Sequence, residues 1–246
     1  MNTLTHALVG AAIFGRPKLT LTLLSATLAG AAFPDVSILV MVFWEIGVNG
    51  VDQAELWGQS YYREPWVTYS AITNSFFVFG ALALLGWQQG WQWLWAFAGT
   101  AVLHFLGDIF LHYDDGHAHF WPLSSCVFYS PISYWDPRHF GVPWTVVEMI
   151  VALALAGFIW RQNKSWAVRT YATVLVGLFW LMSLAFLMFI FTSDDRDGGP
   201  ELSAPGKFVL PACPGSIDVA KQTAQIELLY SQSGENLDQS QKTHQL

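Results

Sequence analysis

The stretch Trp91-Gln-Trp-Leu-Trp-Ala-Phe-Ala-Gly-Thr-Ala-Val-Leu103 carries no charge and runs straight into His104-Phe-Leu-Gly-Asp108-Ile-Phe-Leu-His112-Tyr-Asp114-Asp115-Gly-His117-Ala-His119. Its first part reads as a membrane-inserted helix. Its second part holds four of the seven histidines and three of the eighteen carboxylates, in a chain whose charged residues are only 12%. Ionisable groups at the end of an apolar helix are costly to place, and groups kept at such cost usually serve function. Phe120-Trp121-Pro122-Leu123-Ser124 follows directly.

The composition around this stretch points the same way. Hydrophobic residues make up 53%, aromatics 16%, with thirteen Trp and a mean hydropathy of +0.37, far from an average soluble domain. The expected class is an all-α, polytopic integral membrane bundle in contact with the lipid bilayer. A formal charge of −7 with no basic stripe leaves nothing to neutralise phosphates, which excludes nucleic acid as a partner. Cys126 and Cys213 are too few for a disulfide framework or a thiolate zinc site. One disulfide between loop and tail stays open, against the mobile composition of the tail.

Toward the N-terminus, Thr5-His6 starts an apolar run to Phe14 that Gly15-Arg16-Pro17-Lys18 breaks. No basic n-region or small-residue cleavage site marks a secretory signal. The run spans roughly 18 Å, short of a hydrocarbon core of about 30 Å. A second helix, Leu19 to Phe33, stops at Pro34-Asp35. An antiparallel hairpin of the two places His6 and Asp35 at one end, opposite Arg16 and Lys18. Val36 to Val48, with Trp44 and Glu45, reads as a re-entrant or surface helix, and Asp52 to Trp66 as an interfacial loop. Longer helices follow at Thr68 to Trp87, Trp91 to Tyr113, Trp144 to Arg161 and Ala167 to Thr192. The total is about six transmembrane helices plus the short one. Residues 1–192 thus form a membrane domain whose loop 114–143 carries the site. Residues 193–246, rich in Gly, Pro, Ser, Gln and acid, read as an extramembrane and largely disordered tail.

Arg161, Lys164 and Arg169 cluster at one connection and Arg16 and Lys18 at another, which places both inside by the positive-inside rule. His6, Asp35 and the His/Asp cluster then share the outer face, periplasmic in a bacterial inner membrane. On a continuous helix His104, Asp108 and His112, spaced i, i+4, i+8, drift little across one face, and Asp115 returns to it. Imidazole mixed with carboxylate, and no thiolate, suits zinc, with manganese or iron as the other ions. A buried structural pair of His104 and Asp108 is the alternative reading. Asp136-Pro137-Arg138 reads as a turn with a local ion pair, and Glu148 either as a helix-dipole partner or as part of the site.

Thr5-His6, Pro34-Asp35, His104-x-x-x-Asp108 and Trp121-Pro122-Leu123-Ser124, in that order over approximately residues 3 to 160, resemble the YdjM-like inner-membrane family of metal-dependent hydrolases. That family carries a His-x-Gly-x-Thr-His-Ser stretch, where this chain has Tyr69-Ser70-Ala71-Ile72-Thr73-Asn74-Ser75, so both histidines are replaced. The ligand order is also distantly similar to zinc-dependent phospholipase C and P1 nuclease, an analogy that draws in Glu148, with His139 near it. The resemblance implies a divalent metal held by His6, Asp35, His104, Asp108, His112 and Asp115. Asp114, His119 and Glu148 are then the candidates for general-base or orienting work. The implied activity is hydrolysis of a phosphoester or lipid-linked substrate, a phospholipid or isoprenoid phosphate, at the membrane face. The alternative is a non-catalytic metal-binding, transport or scaffold protein that keeps a relict site.

Overall fold

The computed structural model describes residues 1–15, 19–192 and 210–214. Among these the chain is helical, in the order α1 (Thr3–Phe14), α2 (Leu21–Ala32), α3 (Val36–Val42), α4 (Gln53–Gly58), α5 (Trp66–Thr73), α6 (Phe76–Gln88), α7 (Gln92–Asp108), α8 (Gly141–Gln162) and α9 (Trp166–Thr192). A π-helical turn, Phe43–Val48, continues α3. The caps are local. The Asn2 side chain accepts from the Leu4 N–H to start α1, Thr20 Oγ1 from Leu23 for α2, and Ser75 Oγ from Val78 for α6.

α7 is the central element, packed against α1, α2 and α6, and the α8/α9 pair lies against α1. Small residues let these helices approach closely, as membrane interfaces favour. Ala7, Ala31, Ala96, Ala98 and Ala101 are fully buried, and a Cβ added at Gly30 would collide with the backbone carbonyl of Phe97. The outer surface is apolar instead: on α9, Leu181, Met188, Phe189 and Phe191 are all exposed, as a lipid-facing helix requires.

Among the described residues, three helices are long and apolar enough to cross a membrane: Trp66–Gln88, which joins α5 and α6, then α8 and α9. The bent pair of α2 with Val36–Val48, kinked by 58°, makes a fourth if it is one span. That is fewer than the six expected from sequence. α1, with 12 residues, and α7, with 17, fall short of the roughly 20 that a hydrocarbon core needs. α7 also ends at Asp108 rather than Tyr113, so His112 and Asp115 are presented by a turn and not by a continuous helix face.

The segment from Ile109 to Phe140 is irregular except for a 3-10 turn at Pro137–His139. A strap formed by 210–214 holds it. Val127 N–H donates to the Pro211 carbonyl and Cys213 N–H to the Val127 carbonyl, both at 2.8 Å, and Cys126 and Cys213 form a disulfide. The sequence left that pairing open, and the structure makes it. The remaining tail residues, His244 and the Arg16-Pro17-Lys18 turn lie outside the described residues. Cys126→Ser is expected to cost about 2 kcal/mol, the lower end for a natural disulfide, because the strap clamps a loop and not the bundle. Thermal melts and limited proteolysis between 109 and 140 would read it. Identical melting and cleavage with and without reductant would contradict the clamp.

Candidate metal centre

Four elements end at the same place. α1 brings His6, the turn after α2 brings Asp35, the last turn of α7 brings His104 and Asp108, and the following turn brings His112. Asp108 is the hub: its Oδ1 lies 2.9 Å from His6 Nε2, and its Oδ2 lies 2.9 Å from His104 Nε2 and 3.3 Å from His112 Nε2. The Met1 ammonium also lies 2.7 Å from Oδ1. His6 is 0% exposed, His104 2% and Asp108 5%. The rings of His6 and His104 stack with centroids 3.8 Å apart. Asp35 stands at the mouth, its side chain one-third exposed and its Oδ1 3.8 Å from His104 Nε2.

The proton positions favour a cation. His104 Nδ1 lies 2.8 Å from the Ala31 carbonyl oxygen, which can only accept, so Nδ1 carries the hydrogen. The neutral ring then presents a bare Nε2 lone pair to the Asp108 carboxylate. Two lone pairs in contact repel unless a proton or a metal ion lies between them. Donors bound about 2.0–2.1 Å from one tetrahedral ion sit about 3.3 Å from each other, close to these separations. His6, His104 and Asp108 each offer a ligand atom within 4.8 Å of the others, a grouping that could hold a metal ion.

The remaining candidates are placed differently. Asp115 is behind His112, its Oδ1 2.9 Å from His112 Nδ1 and its Oδ2 accepting from Trp135 Nε1 at 2.9 Å. It orients His112 and does not touch the inner trio. Asp114 is half-buried, with its backbone carbonyl held by the Tyr62 hydroxyl. His119 donates from Nδ1 to the Asn74 carbonyl at 2.9 Å and packs on Phe76 and Phe105. Glu148 is buried and accepts the Asn2 N–H at 2.7 Å, so its charge complements the N-terminus of α1, the helix that carries His6. His139 stacks on Tyr113 and pairs with Asp136 as part of the Asp136–Arg138 turn, as the local reading anticipates. Asn74, where the resembled family has a histidine, spends its amide nitrogen on the Pro34 and Ser70 carbonyls at 3.3 and 3.0 Å. The Ala31 carbonyl that fixes His104 left no sequence signal, because any residue supplies it.

Loop electrostatics sort the outer imidazoles. Burial would lower His112, but the Asp115 and Asp108 carboxylates outweigh it and hold the ring protonated well above the ordinary histidine range, with Asp115 correspondingly held low. Burial, with His112 and His119 adding repulsion, pushes His117 down to about 3, and burial pushes His119 down to about 4. The sign of the pH dependence follows. Below the unfolded value of 6.5 the unfolded chain takes up protons that folded His117 and His119 refuse, so stability falls with pH by up to about 1.4 kcal/mol per pH unit for each ring. Between pH 6.5 and 4.5 His112 is protonated in both states and contributes little slope. Metal-stripped protein in detergent is therefore expected to melt at falling temperatures over this window. The slope should flatten in His117→Gln/His119→Gln, and an unchanged slope would contradict the assignment.

Against known proteins, no family model matches the chain, and neither a curated protein nor a solved structure is significantly similar to it.

Proposed function

We propose that the protein is a membrane-embedded, metal-dependent hydrolase of a phosphoester or lipid-linked phosphate, as the resemblance to the YdjM-like family implies. The observation that carries the reading is His104 Nε2 facing Asp108 Oδ2 at 2.9 Å, with His6 on the other carboxylate oxygen and all three side chains buried. His6, His104 and Asp108 are the residues that would hold the ion, with Asp35 at the open side. Zinc is the ion preferred by this donor mix. Bound there, it would lower the pKa of a water and polarise a phosphoryl oxygen. Asp35, partly exposed, is the carboxylate placed to take a proton at the mouth. Glu148 seats α1 and, through it, His6. Asp114 and His119 stand in the loop above.

Two features support an outer-face site in a bacterial inner membrane. The loop that carries the outer histidines contains a disulfide, which persists on an oxidising side. Arg161, Lys164 and Arg169 lie at the other end of α8 from Glu148 and the site, where the positive-inside rule places the cytoplasm. A phospholipid or isoprenoid phosphate would reach such a site sideways from the bilayer.

The test is release of phosphate or headgroup from phospholipid and isoprenyl phosphate in mixed micelles. Activity should vanish with chelator and return with zinc or manganese. Bound metal without release of product would favour the second reading, a metal-binding or transport protein with a relict site. Asn74, committed to backbone carbonyls in place of a ligand histidine, is the observation on that side.

A further inference from the structure

The helix after α2 does not continue its line. The chain bends by 58° at Phe33-Pro34-Asp35, and Val36–Val48 sets off as an arm that begins one residue after Asp35. One side of this arm is packed: Ser37 and Met41 are buried, and α5 is the neighbour. The other side is an apolar stripe in which Leu39 (65% exposed), Val40, Phe43 (70% exposed), Trp44 and Val48 all stand open. Asp35, Leu39 and Phe43 follow one another at i, i+4 and i+8, so they share one face of the helix. The stripe therefore runs for about 12 Å straight to the carboxylate at the mouth of the metal centre.

The polar groups of the arm are already satisfied. Glu45 accepts from Trp66 Nε1 at 2.7 Å and from Asn49 Nδ2 at 2.9 Å. The Trp44 and Glu45 carbonyls, at the end of the π-helical turn, take the N–H groups of Asn49 and Val51. A paired charge and a backbone bonded within its own segment are what hydrocarbon demands of a helix. The outer surface is apolar at the same level on two other helices. Leu106 and Phe110 flank Asp108 and are exposed, and Val146, Val147 and Ile150 are exposed around the buried Glu148. A surface of this kind, continuous with the lipid-facing sides of the long helices, marks contact with a membrane. We propose that the Leu39/Phe43 face of the arm lies in the hydrocarbon of the leaflet on the site's side and seats the chain of a bilayer lipid, whose polar end reaches the mouth beside Asp35. What happens to that polar end rests on the hydrolase reading. The arm deepens that reading by giving the substrate a hydrocarbon chain and a route of entry along α3 from the leaflet, not from water.

The experiment places a fluorophore on single introduced thiols of the full-length chain in phospholipid nanodiscs, where Cys126 and Cys213 are already joined. Leu39→Cys and Phe43→Cys are the probes. Met182→Cys on α9 is the lipid reference and Glu55→Cys on α4 the water reference, both at exposed positions. Phospholipids brominated along the acyl chain should quench the labels at 39 and 43 as strongly as the one at 182, and leave the one at 55 bright. A membrane-impermeant maleimide, applied to unlabelled variants, should react with Glu55→Cys and spare Leu39→Cys and Phe43→Cys until detergent is added. Labels at 39 and 43 that stay bright while their thiols react freely would place the face in water and overturn the lipid seat. Labels that stay bright over thiols that do not react would put protein against the face and overturn it too. Metal content read on the same samples keeps the two claims apart. A water-exposed arm on a metal-loaded chain overturns the lipid seat alone, and a quenched arm on a chain that takes up no metal overturns the hydrolase reading alone.

Discussion

Asp108→Asn is expected to lower the affinity for divalent metal by more than about 100-fold, beyond the 10–100-fold that loss of an orienting partner produces. Three histidines meet this one carboxylate, on both of its oxygens, so no neighbour can replace it. The amide has the same size and keeps the packing. Its N–H can donate to an unprotonated His104 Nε2, a contact the carboxylate makes only when a proton or a metal ion lies between them. The metal-free variant should stay folded but melt below the metal-free wild type, by about 3 kcal/mol, because the Met1 ammonium loses its partner and breaking one side of a buried pair is costly. The two outcomes together separate a ligand from a structural ion pair. A variant that unfolds without metal while the wild type does not would mark Asp108 as a stability element. A variant that retains its metal would remove Asp108 from the ligand set.

Gly30→Ala should act on the same centre from a distance. A Cβ at Gly30 would strike the Phe97 carbonyl and stand 2.9 Å from its carbon, atoms of α7 that cannot rotate away. α2 and α7 must separate, at a cost of about 3 kcal/mol, the upper range for overpacking a core. The next residue, Ala31, supplies the carbonyl that fixes the His104 hydrogen, so the separation also frees that ring. Metal affinity should fall by about 10–100-fold, as for other lost orienting contacts. Gly157 in α8 is the control, because a Cβ there meets nothing within 4 Å. Alanine at Gly157 should leave metal binding unchanged, and equal behaviour of the two variants would contradict the close α2–α7 contact.

The convergence of His6, Asp35, His104 and Asp108 was legible because it depends on local rules: a Gly/Pro break that folds α1 against α2, a Pro stop before Asp35, and i, i+4 spacing on α7. The end of α7 was not. Ile109-Phe-Leu111 continues the apolar pattern, and the helix is broken by partners far along the chain: Ser130 N–H takes the His112 carbonyl and Tyr134 N–H that of Leu111. The same kind of partner hid the role of Glu148, whose carboxylate meets an N–H 146 residues away. It also hid the disulfide, which depends on pairing between Val127 and the 210–214 strap. Apolar patterning counts about six spans, whereas three helices, or four with the bent pair, have the length to cross; α1 and α7 are apolar but short, and short helices are served by packing against neighbours as well as by lipid.

Metal analysis of the intact chain, purified from membranes in detergent without chelator, bears most directly on the centre built around Asp108. At least one divalent ion per chain is predicted, present in wild type and absent from His104→Ala and Asp108→Asn. A folded wild-type chain with no stoichiometric metal, and none taken up on addition of zinc or manganese, would contradict it.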